Sequence, residues 1–186
     1  MAKEVSTLKN MIFALVGPSG SGKSTLIKEA LDIIGNKIGI IRSLTTRVQK
    51  DELDALFYNF VTQQDFSKRI FATELIEWTE YAGNSYGYEK TTVDAVLKEK
   101  LGICASDEHG VIALMYAGYR VKAIRIAPIY QKSPISDERE KADRERRKVH
   151  ITYQKEIINS FLKGGKEKAV KELAGYIKNF TKGGRL

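Results

Sequence analysis

The chain has a single cysteine among its 186 residues. One cysteine excludes an internal disulfide, so the sequence favours a reducing compartment and we expect a cytoplasmic protein. Cys104 stands between Ile103 and Ala105, which predicts a buried, inert thiol rather than a nucleophile.

Long hydrophobic runs are also missing. The apolar stretch after Lys9 is too short for a signal peptide and lacks a small-residue cleavage site, and no run approaches transmembrane length. We therefore expect no membrane association. Only two histidines occur, and their distance in sequence excludes a metal-ligand motif. His109 is predicted at a helix start, and His150 at the first residue of an amphipathic helix.

Acidic residues are outnumbered, since 31 lysines and arginines face 23 aspartates and glutamates, for a formal charge of +8. A basic protein can bind nucleic acid, but a cleft for two phosphorylated ligands also needs cations. Because no basic patch is interleaved with aromatic residues, nucleic-acid binding is the weaker interpretation.

A phosphate-binding motif is the strongest positive feature. The apolar run Met11–Val16 leads into Gly17-Pro18-Ser19-Gly20-Ser21-Gly22-Lys23-Ser24, and a helical pattern follows. Strand, Gly-x-x-x-x-Gly-Lys-Ser and helix together define a P-loop, in which backbone N–H groups and the helix N-terminus hold phosphates. Lys23 would reach the β- and γ-phosphates, and the Ser24 hydroxyl would bind Mg²⁺. The predicted ATP-binding residues are Gly17, Ser19, Gly20, Ser21, Gly22, Lys23, Ser24 and Thr25.

The length fits one domain with a core of its own. Strands alternate with helices in most of the chain, which predicts an α/β fold with a parallel sheet flanked by helices. Residues 42–90 differ in composition and predict a small mixed insertion. Two amphipathic helices are expected near residues 149–162 and 166–179. We divide the chain into a core (8–41, 91–130 and 149–181), an insertion (42–90) and a charged lid (131–148).

The insertion holds a second group of chemically useful residues. Arg42-Ser43-Leu44-Thr45-Thr46-Arg47 follows a strand, where open α/β sheets bind ligands and where a guanidinium can clamp a phosphate. Glu77 stands among half-buried residues, and a buried carboxylate needs partners such as the two N–H donors of guanine or a structural cation. Trp78 is predicted to pack in the core. Tyr58 and Tyr86 can each donate a hydroxyl to a phosphate or simply pack.

Taken together, these motifs resemble the guanylate kinase family over roughly residues 11–150. The resemblance rests on the P-loop, Ser43–Arg47, Tyr58-Asn59-Phe60, Glu77-Trp78 and Gly83–Gly87. It implies a P-loop kinase core, a monophosphate-binding insertion and a mobile lid carrying arginines. It also implies that Ser43 and Glu77 contact the guanine base, while Arg47, Tyr58 and Tyr86 hold the monophosphate.

The sequence departs from the family pattern at three places. Lys50 replaces a second phosphate-binding arginine, Tyr88 stands where the family has Ser or Thr, and Ala105 replaces the first aspartate of a strand-end pair. Asp107 remains to contact the base or a metal-bound water. In the lid segment, Arg139, Arg144 and Arg147 are the candidates for contact with the transferred phosphoryl group.

The resulting prediction is an ATP- and Mg²⁺-dependent kinase that phosphorylates GMP or dGMP by direct in-line transfer, as a monomer or homodimer. Two alternatives stay open. The same fold can serve another acceptor, either a different nucleoside monophosphate or a phosphorylated sugar. A guanylate-kinase-like module can also bind protein partners without catalysis, although the intact P-loop argues against that function.

Overall fold

The computed structural model describes residues 10–129 and 149–181. Its strands and helices are β1 (Met11–Val16), α1 (Lys23–Ile34), β2 (Ile38–Ile40), β3 (Ser43–Thr45), α2 (Asp54–Phe57), β4 (Tyr58–Phe60), α3 (Gln63–Phe71), β5 (Leu75–Tyr81), β6 (Asn84–Glu89), α4 (Lys90–Glu99), β7 (Leu101–Ser106), α5 (Glu108–Tyr116), β8 (Arg120–Pro128), β9 (Lys155–Asn159) and α6 (Gly165–Thr181). These elements confirm the predicted α/β class. The proposed lid, 131–148, lies outside the described residues.

The main sheet is parallel and has the strand order β2-β7-β1-β8-β9. Its central strand β1 is apolar at every position because both of its faces are covered. Met11, Phe13 and Leu15 pack on the side that holds residues of α1 and α6, whereas Ile12 and Ala14 pack with residues of α4 and α5. A parallel sheet gathers the carboxyl ends of its strands at one edge, and the P-loop leaves β1 at that edge.

A second, smaller sheet has the order β4-β3-β6-β5 and is built from the predicted insertion. Strands β5 and β6 form an antiparallel hairpin, β3 is antiparallel to β6, and β4 is parallel to β3. Thr62 caps α3 by accepting a hydrogen bond from the Asp65 backbone N–H. Strand β6 is the last strand of the small sheet along the chain and leads directly into α4 of the core.

The helix expected at residues 149–162 is wrong, because Lys155–Asn159 forms β9, the edge strand beside β8. Burial in this segment alternates with a period of two: Ile157 and Asn159 are buried, whereas Glu156 and Ile158 are exposed. His150 consequently starts no helix and is exposed in the segment before β9. The helix expected at 166–179 is confirmed as α6.

Two further expectations about single residues have opposite outcomes. Cys104 is fully buried in β7, and burial raises the pKa of its thiol to about 12, which confirms an inert cysteine. The core position predicted for Trp78 is wrong, because 48% of the side chain is exposed. Its partner across the hairpin is Gly87, which has no side chain to cover the indole, and β5 is an edge strand.

Close packing of α4 on the main sheet depends on Gly102 in β7. A Cβ atom at this position would lie 2.5 Å from Ile41 Cδ1 and 3.2 Å from Leu97 Cδ2. We predict that Gly102→Val lowers the free energy of unfolding by about 1–3 kcal/mol, the usual cost of overpacking. Urea unfolding followed by circular dichroism measures the change.

Gly175 in α6 is the matched control, because a Cβ atom there meets nothing within 4 Å. Gly175→Ala is expected to raise stability by roughly 0.5–1 kcal/mol through helix propensity. A Gly102→Val protein as stable as the wild type would contradict the packing argument.

Candidate active site

The P-loop follows β1 and is held so tightly that two of its positions admit only glycine. A Cβ atom on Gly17 would lie 2.5 Å from the Ile126 carbonyl oxygen of β8. A Cβ atom on Gly22 would lie 2.5 Å from Asn159 Nδ2, and Gly22 also has a left-handed backbone with φ of 86°. The loop backbone is therefore fixed against β8 and β9.

The predicted donor residues surround the start of α1. Lys23, Ser24 and Thr25 form its first turn, which has neither a side-chain cap nor an acidic residue, so the positive end of the helix is available to an anion. Lys23 Nζ donates hydrogen bonds to the carbonyl oxygens of Gly17 (2.6 Å) and Pro18 (2.9 Å). The ammonium group thus lies over the same loop whose N–H groups are expected to bind phosphate.

Asn159 of β9 is hydrogen-bonded to this loop. The sequence analysis did not predict its role. The side chain is 2% exposed, and its Nδ2 donates to the carbonyl oxygen of the fully buried Ser21 at 2.7 Å. This contact joins β9 to the P-loop. The signal in the sequence was a polar residue ending an apolar run, and the mistaken helix over 149–162 concealed it.

The carboxyl end of β7 lies beside the P-loop, because Ser106 pairs with Val16 of β1. Asp107 follows and caps α5 by accepting a hydrogen bond from the Gly110 backbone N–H at 2.8 Å. Its carboxylate and the Ser24 hydroxyl are hard oxygen ligands of the kind that Mg²⁺ takes together with water and phosphate oxygens. The described residues contain no cluster of three or more histidine, cysteine, aspartate or glutamate side chains suited to a metal ion. Mg²⁺ bound mainly by nucleotide phosphates needs no such cluster.

The predicted acceptor residues share one face of the small sheet, and the strand register explains why. Ser43 pairs with Tyr58, and Glu77 pairs with Tyr88. Tyr86 pairs with both Thr45 and Thr79. Paired residues point to the same side of a sheet, as do residues two positions apart in one strand. Ser43, Tyr58, Glu77 and Tyr86 therefore lie on a common face although the first and the last are 43 positions apart in the sequence.

Arg47 lies at one end of this face together with both tyrosines. Its guanidinium is 4.9 Å from the centre of the Tyr58 ring, and the rings of Tyr58 and Tyr86 are 6.2 Å apart. Burial raises the pKa of Tyr58, so its hydroxyl keeps its proton and can donate. One guanidinium and two phenols around a common space are the donors that a phosphate monoester requires.

The Arg47 backbone is fixed by the threonines that precede it. The fully buried Thr45 accepts a hydrogen bond from the Arg47 N–H (3.1 Å) and donates to the Ser85 carbonyl (2.9 Å). Thr46 accepts from the Ser85 N–H at 2.9 Å. These bonds connect the loop after β3 to β6, so the motif that supplies Arg47 also sets its position.

Asp54 orients the Arg47 side chain, a role that the sequence analysis did not assign. Its Oδ2 lies 2.8 Å from Arg47 Nη1 and also accepts from the Lys50 N–H at 2.9 Å. Burial alone would raise the pKa of Asp54, but the hydrogen bonds from Arg47 and Lys50 outweigh it and lower the pKa. The Lys50 residue itself is exposed, at the rim rather than on the acceptor face.

Four other residues singled out in the sequence do not join the site in the described structure. His109 is exposed in the first turn of α5, at the predicted helix start. Arg139, Arg144 and Arg147 of the proposed lid lie outside the described residues.

Within the described residues no helix is both long enough and apolar enough to span a membrane.

A family model described as guanylate kinase matches residues 9–163, which is most of the chain. The chain belongs to the guanylate kinase family. It is 34% identical over 133 residues to the guanylate kinase of Schizosaccharomyces pombe, an alignment that covers 69% of the chain and 64% of that relative. Identity to the guanylate kinase of Mycoplasmoides gallisepticum is 30% over 172 residues, covering 91% of the chain and 82% of the relative.

The fold is also that of a solved family member. The crystal structure of guanylate kinase from Anaplasma phagocytophilum superposes with a TM-score of 0.64 at 22% identity, over 90% of this chain and 83% of that one. The chain covers different shares of the lengths of its relatives. The chain spans just under two thirds of the S. pombe relative and 59% of the guanylate kinase of Thermotoga maritima, to which it is 29% identical.

The ion pair of Arg47 with Asp54 predicts a measurable effect on monophosphate binding. Asp54→Asn keeps the size of the side chain but removes the charge that orients the guanidinium, so we expect the affinity for GMP to fall by about tenfold, as for a lost charged hydrogen bond. Isothermal titration calorimetry with GMP measures the loss. The pKa of Asp54 in the folded protein is lower than the ordinary aspartate pKa of 3.8. The ion pair therefore contributes fully to stability at pH values above 3.8, and this contribution is lost as the pH falls through the lowered pKa of Asp54.

Asp65→Asn is the matched control, since Asp65 forms an exposed ion pair with Lys68 at 3.2 Å on the same insertion. This variant is expected to bind GMP like the wild type. Equal affinities for all three proteins would show that Asp54 does not position Arg47 for the phosphate.

Proposed function

We propose that this chain is an ATP- and Mg²⁺-dependent nucleoside monophosphate kinase that converts GMP or dGMP to the diphosphate. One observation carries the proposal: two separate groups of phosphate-binding residues are built into one fold. The P-loop with Lys23 is suited to a triphosphate. Arg47, Tyr58 and Tyr86 on the small sheet are suited to a monophosphate. An ATPase or GTPase that uses water as its acceptor has no need of the second group.

Binding of the donor would begin at the first turn of α1. The loop N–H groups and the helix end attract the phosphates, and Lys23 would exchange its contacts with the Gly17 and Pro18 carbonyls for phosphate oxygens. Gly17, Ser19, Gly20, Ser21, Gly22, Ser24 and Thr25 complete the proposed ATP site. Asn159 would keep the loop in place during this exchange through its bond to Ser21. When bound, Mg²⁺ would be held by Ser24, with Asp107 near its water shell, and would neutralise phosphate charge.

On the acceptor side, Arg47 would bind the monophosphate while Asp54 holds the guanidinium in place. Tyr58 and Tyr86 would add hydroxyl donors, and Lys50 would contribute a point charge from the rim. Ser43, Glu77 and Asp107 form the proposed base end of the site, where the Glu77 carboxylate would accept from the N1–H and N2–H₂ groups of guanine.

Transfer would be a direct in-line displacement. An oxygen of the monophosphate attacks the γ-phosphorus, the bond from that phosphorus to the β–γ bridging oxygen breaks, and ADP leaves with that electron pair. Such reactions depend on positioning and on charge neutralisation rather than on a covalent enzyme intermediate. We assign the neutralisation to Lys23 and to lid arginines, for which Arg139, Arg144 and Arg147 remain the candidates. A cytoplasmic location and a monomeric or homodimeric state also stay predictions.

The central test is Lys23→Ala. Loss of the cation nearest the transferred group is expected to lower kcat by at least about a hundredfold, the scale for removing one preorganised stabilising group. A coupled ADP-release assay with GMP and dGMP as acceptors measures turnover, and circular dichroism checks that the variant is folded.

Lys28→Ala serves as the control, because Lys28 is exposed on the same helix and the substitution removes the same charge. This variant is expected to turn over like the wild type. Undiminished turnover by Lys23→Ala would refute the proposed mechanism, whereas a wild-type protein with no activity toward GMP or dGMP would refute the proposed acceptor.

A further inference from the structure

Tyr88 is a residue of the small sheet that packs in the core of the main sheet. It lies in β6, is only 3% exposed, and belongs to the hydrophobic cluster that contains Val16 of β1, Cys104 of β7 and Val111 of α5. Among the described residues of the small-sheet strands, it is the only one buried in a hydrophobic cluster of the main sheet. The Tyr88 ring therefore joins the two sheets.

The contacts of Tyr88 in the main sheet lead to Asp107. The Tyr88 hydroxyl donates to the carbonyl oxygen of Ala105, near the end of β7, at 3.1 Å. The Asp107 carboxylate accepts a hydrogen bond from the Gly110 N–H at 2.8 Å. A Cβ atom on Gly110 would lie 3.3 Å from Tyr88 Cε2 and 3.5 Å from Asp107 Oδ1. The tyrosine ring and the Asp107 carboxylate therefore both lie against Gly110.

Glu77 lies on the small-sheet side of Tyr88. The two residues pair across the β5–β6 hairpin, so their side chains project from the same face. Burial is the main cause of the raised pKa of Cys104, and the negative charge of Glu77 adds to it, so this charge lies near β7. Tyr88 thus connects the strand that carries Glu77 with the strand end that carries Asp107.

Such a connection is needed because the two carboxylates proposed to bind the acceptor base belong to different sheets. Glu77 is part of the four-stranded sheet, whereas Asp107 follows β7 of the five-stranded sheet. Strand pairing therefore does not fix the distance between the two carboxylates, and side-chain packing between the sheets has to do so. Hydrogen bonds weaken steeply outside a narrow range of distance and angle, and a displacement of about 1 Å is enough to lose one.

We infer that Tyr88 is a positioning residue that holds Glu77 and Asp107 together as one base-binding site. This inference rests on the proposed kinase function and adds how the acceptor base is recognised, namely through N–H groups that reach both carboxylates. The ring carries this role, because it packs against Gly110 in the core of the main sheet. Tyr88 itself needs no contact with the base.

The test compares GMP with IMP as acceptors in the coupled ADP-release assay. IMP keeps the phosphate and N1–H but lacks the 2-amino group. We expect the wild-type protein to prefer GMP by at least about tenfold in kcat/KM, because carboxylates accept from that amino group. Tyr88→Val removes the ring, so this preference is expected to fall by at least about fivefold. A merely destabilising substitution would lower the use of both compounds alike. An unchanged ratio in a folded Tyr88→Val protein, or equal use of both compounds by the wild type, would overturn the inference while leaving the kinase function intact.

Two further variants separate positioning from stability. Tyr88→Phe keeps the ring and is expected to keep the ratio within about twofold of the wild-type ratio. Tyr119→Val is the matched control, because Tyr119 is a buried tyrosine of the same hydrophobic cluster, 8% exposed, whose hydroxyl donates to Asp94 at 2.6 Å. Its ratio is expected to equal that of the wild type. A loss in Tyr88→Phe as large as in Tyr88→Val, or an equal loss in Tyr119→Val, would contradict the role of the ring.

A double variant tests whether Tyr88 acts through Asp107. Asp107→Asn removes the charge but keeps a side chain that can cap α5. Adding Tyr88→Val to Asp107→Asn is expected to change the ratio by less than about twofold, whereas independent effects would multiply and overturn the inference.

Calorimetric titration with GMP and IMP gives the same ratios as affinities, without turnover. A wild-type protein that binds GMP but phosphorylates neither compound would refute the proposed kinase function, and the affinity ratios of the variants would still decide the role of Tyr88. A protein that binds neither compound would refute both.

Discussion

The structure depends on the close approach of the P-loop backbone to the Ile126 carbonyl of β8 and to the Asn159 side chain of β9. Gly17 lies against the Ile126 carbonyl and Gly22 against the Asn159 side-chain amide, and the hydrogen bond from Asn159 Nδ2 to the Ser21 carbonyl oxygen holds the loop against β9. The loop leaves β1, which is the central strand of the main sheet and is buried on both faces, as a parallel sheet covered by helices on both sides requires. A loop held in this way presents its N–H groups without further ordering, and such preorganisation is what makes electrostatic binding of phosphate effective.

The small sheet brings together residues that are far apart in the sequence. Its register does so without long loops: antiparallel pairing of β6 with both β3 and β5 places three strands' side chains on one face. The buried Thr45 and the pair formed by Arg47 and Asp54 then fix the position of the Arg47 guanidinium. Rigid positioning of a second substrate supplies much of the rate enhancement in phosphoryl transfer.

The fold class and the P-loop could be predicted because their signals are local. The residues of the small-sheet face were predicted through the family resemblance, since each of them taken alone also fitted a structural role. Strand β9 could not be predicted, since Ile157 and Ile158 fit a helical stripe as well as a strand, and pairing with β8 decides between them. The exposure of Trp78 depends on Gly87 across the hairpin, and the role of Asp54 depends on a turn that brings it back to Arg47. Each miss concerns a partner chosen by tertiary structure, which no single stretch of sequence contains.

The two ends of the acceptor face use hydrogen bonds in opposite ways. At the proposed phosphate end, Asp54 accepts from the Arg47 guanidinium and from the Lys50 N–H and so orients the guanidinium. At the proposed base end, the hydroxyls of Ser43 and Tyr88 donate to backbone carbonyls, and Glu77 and Asp107 are the carboxylates proposed to accept from a base. Binding energy directed at the phosphate would position the attacking oxygen, whereas the proposed contacts of Ser43, Glu77 and Asp107 would set selectivity among bases.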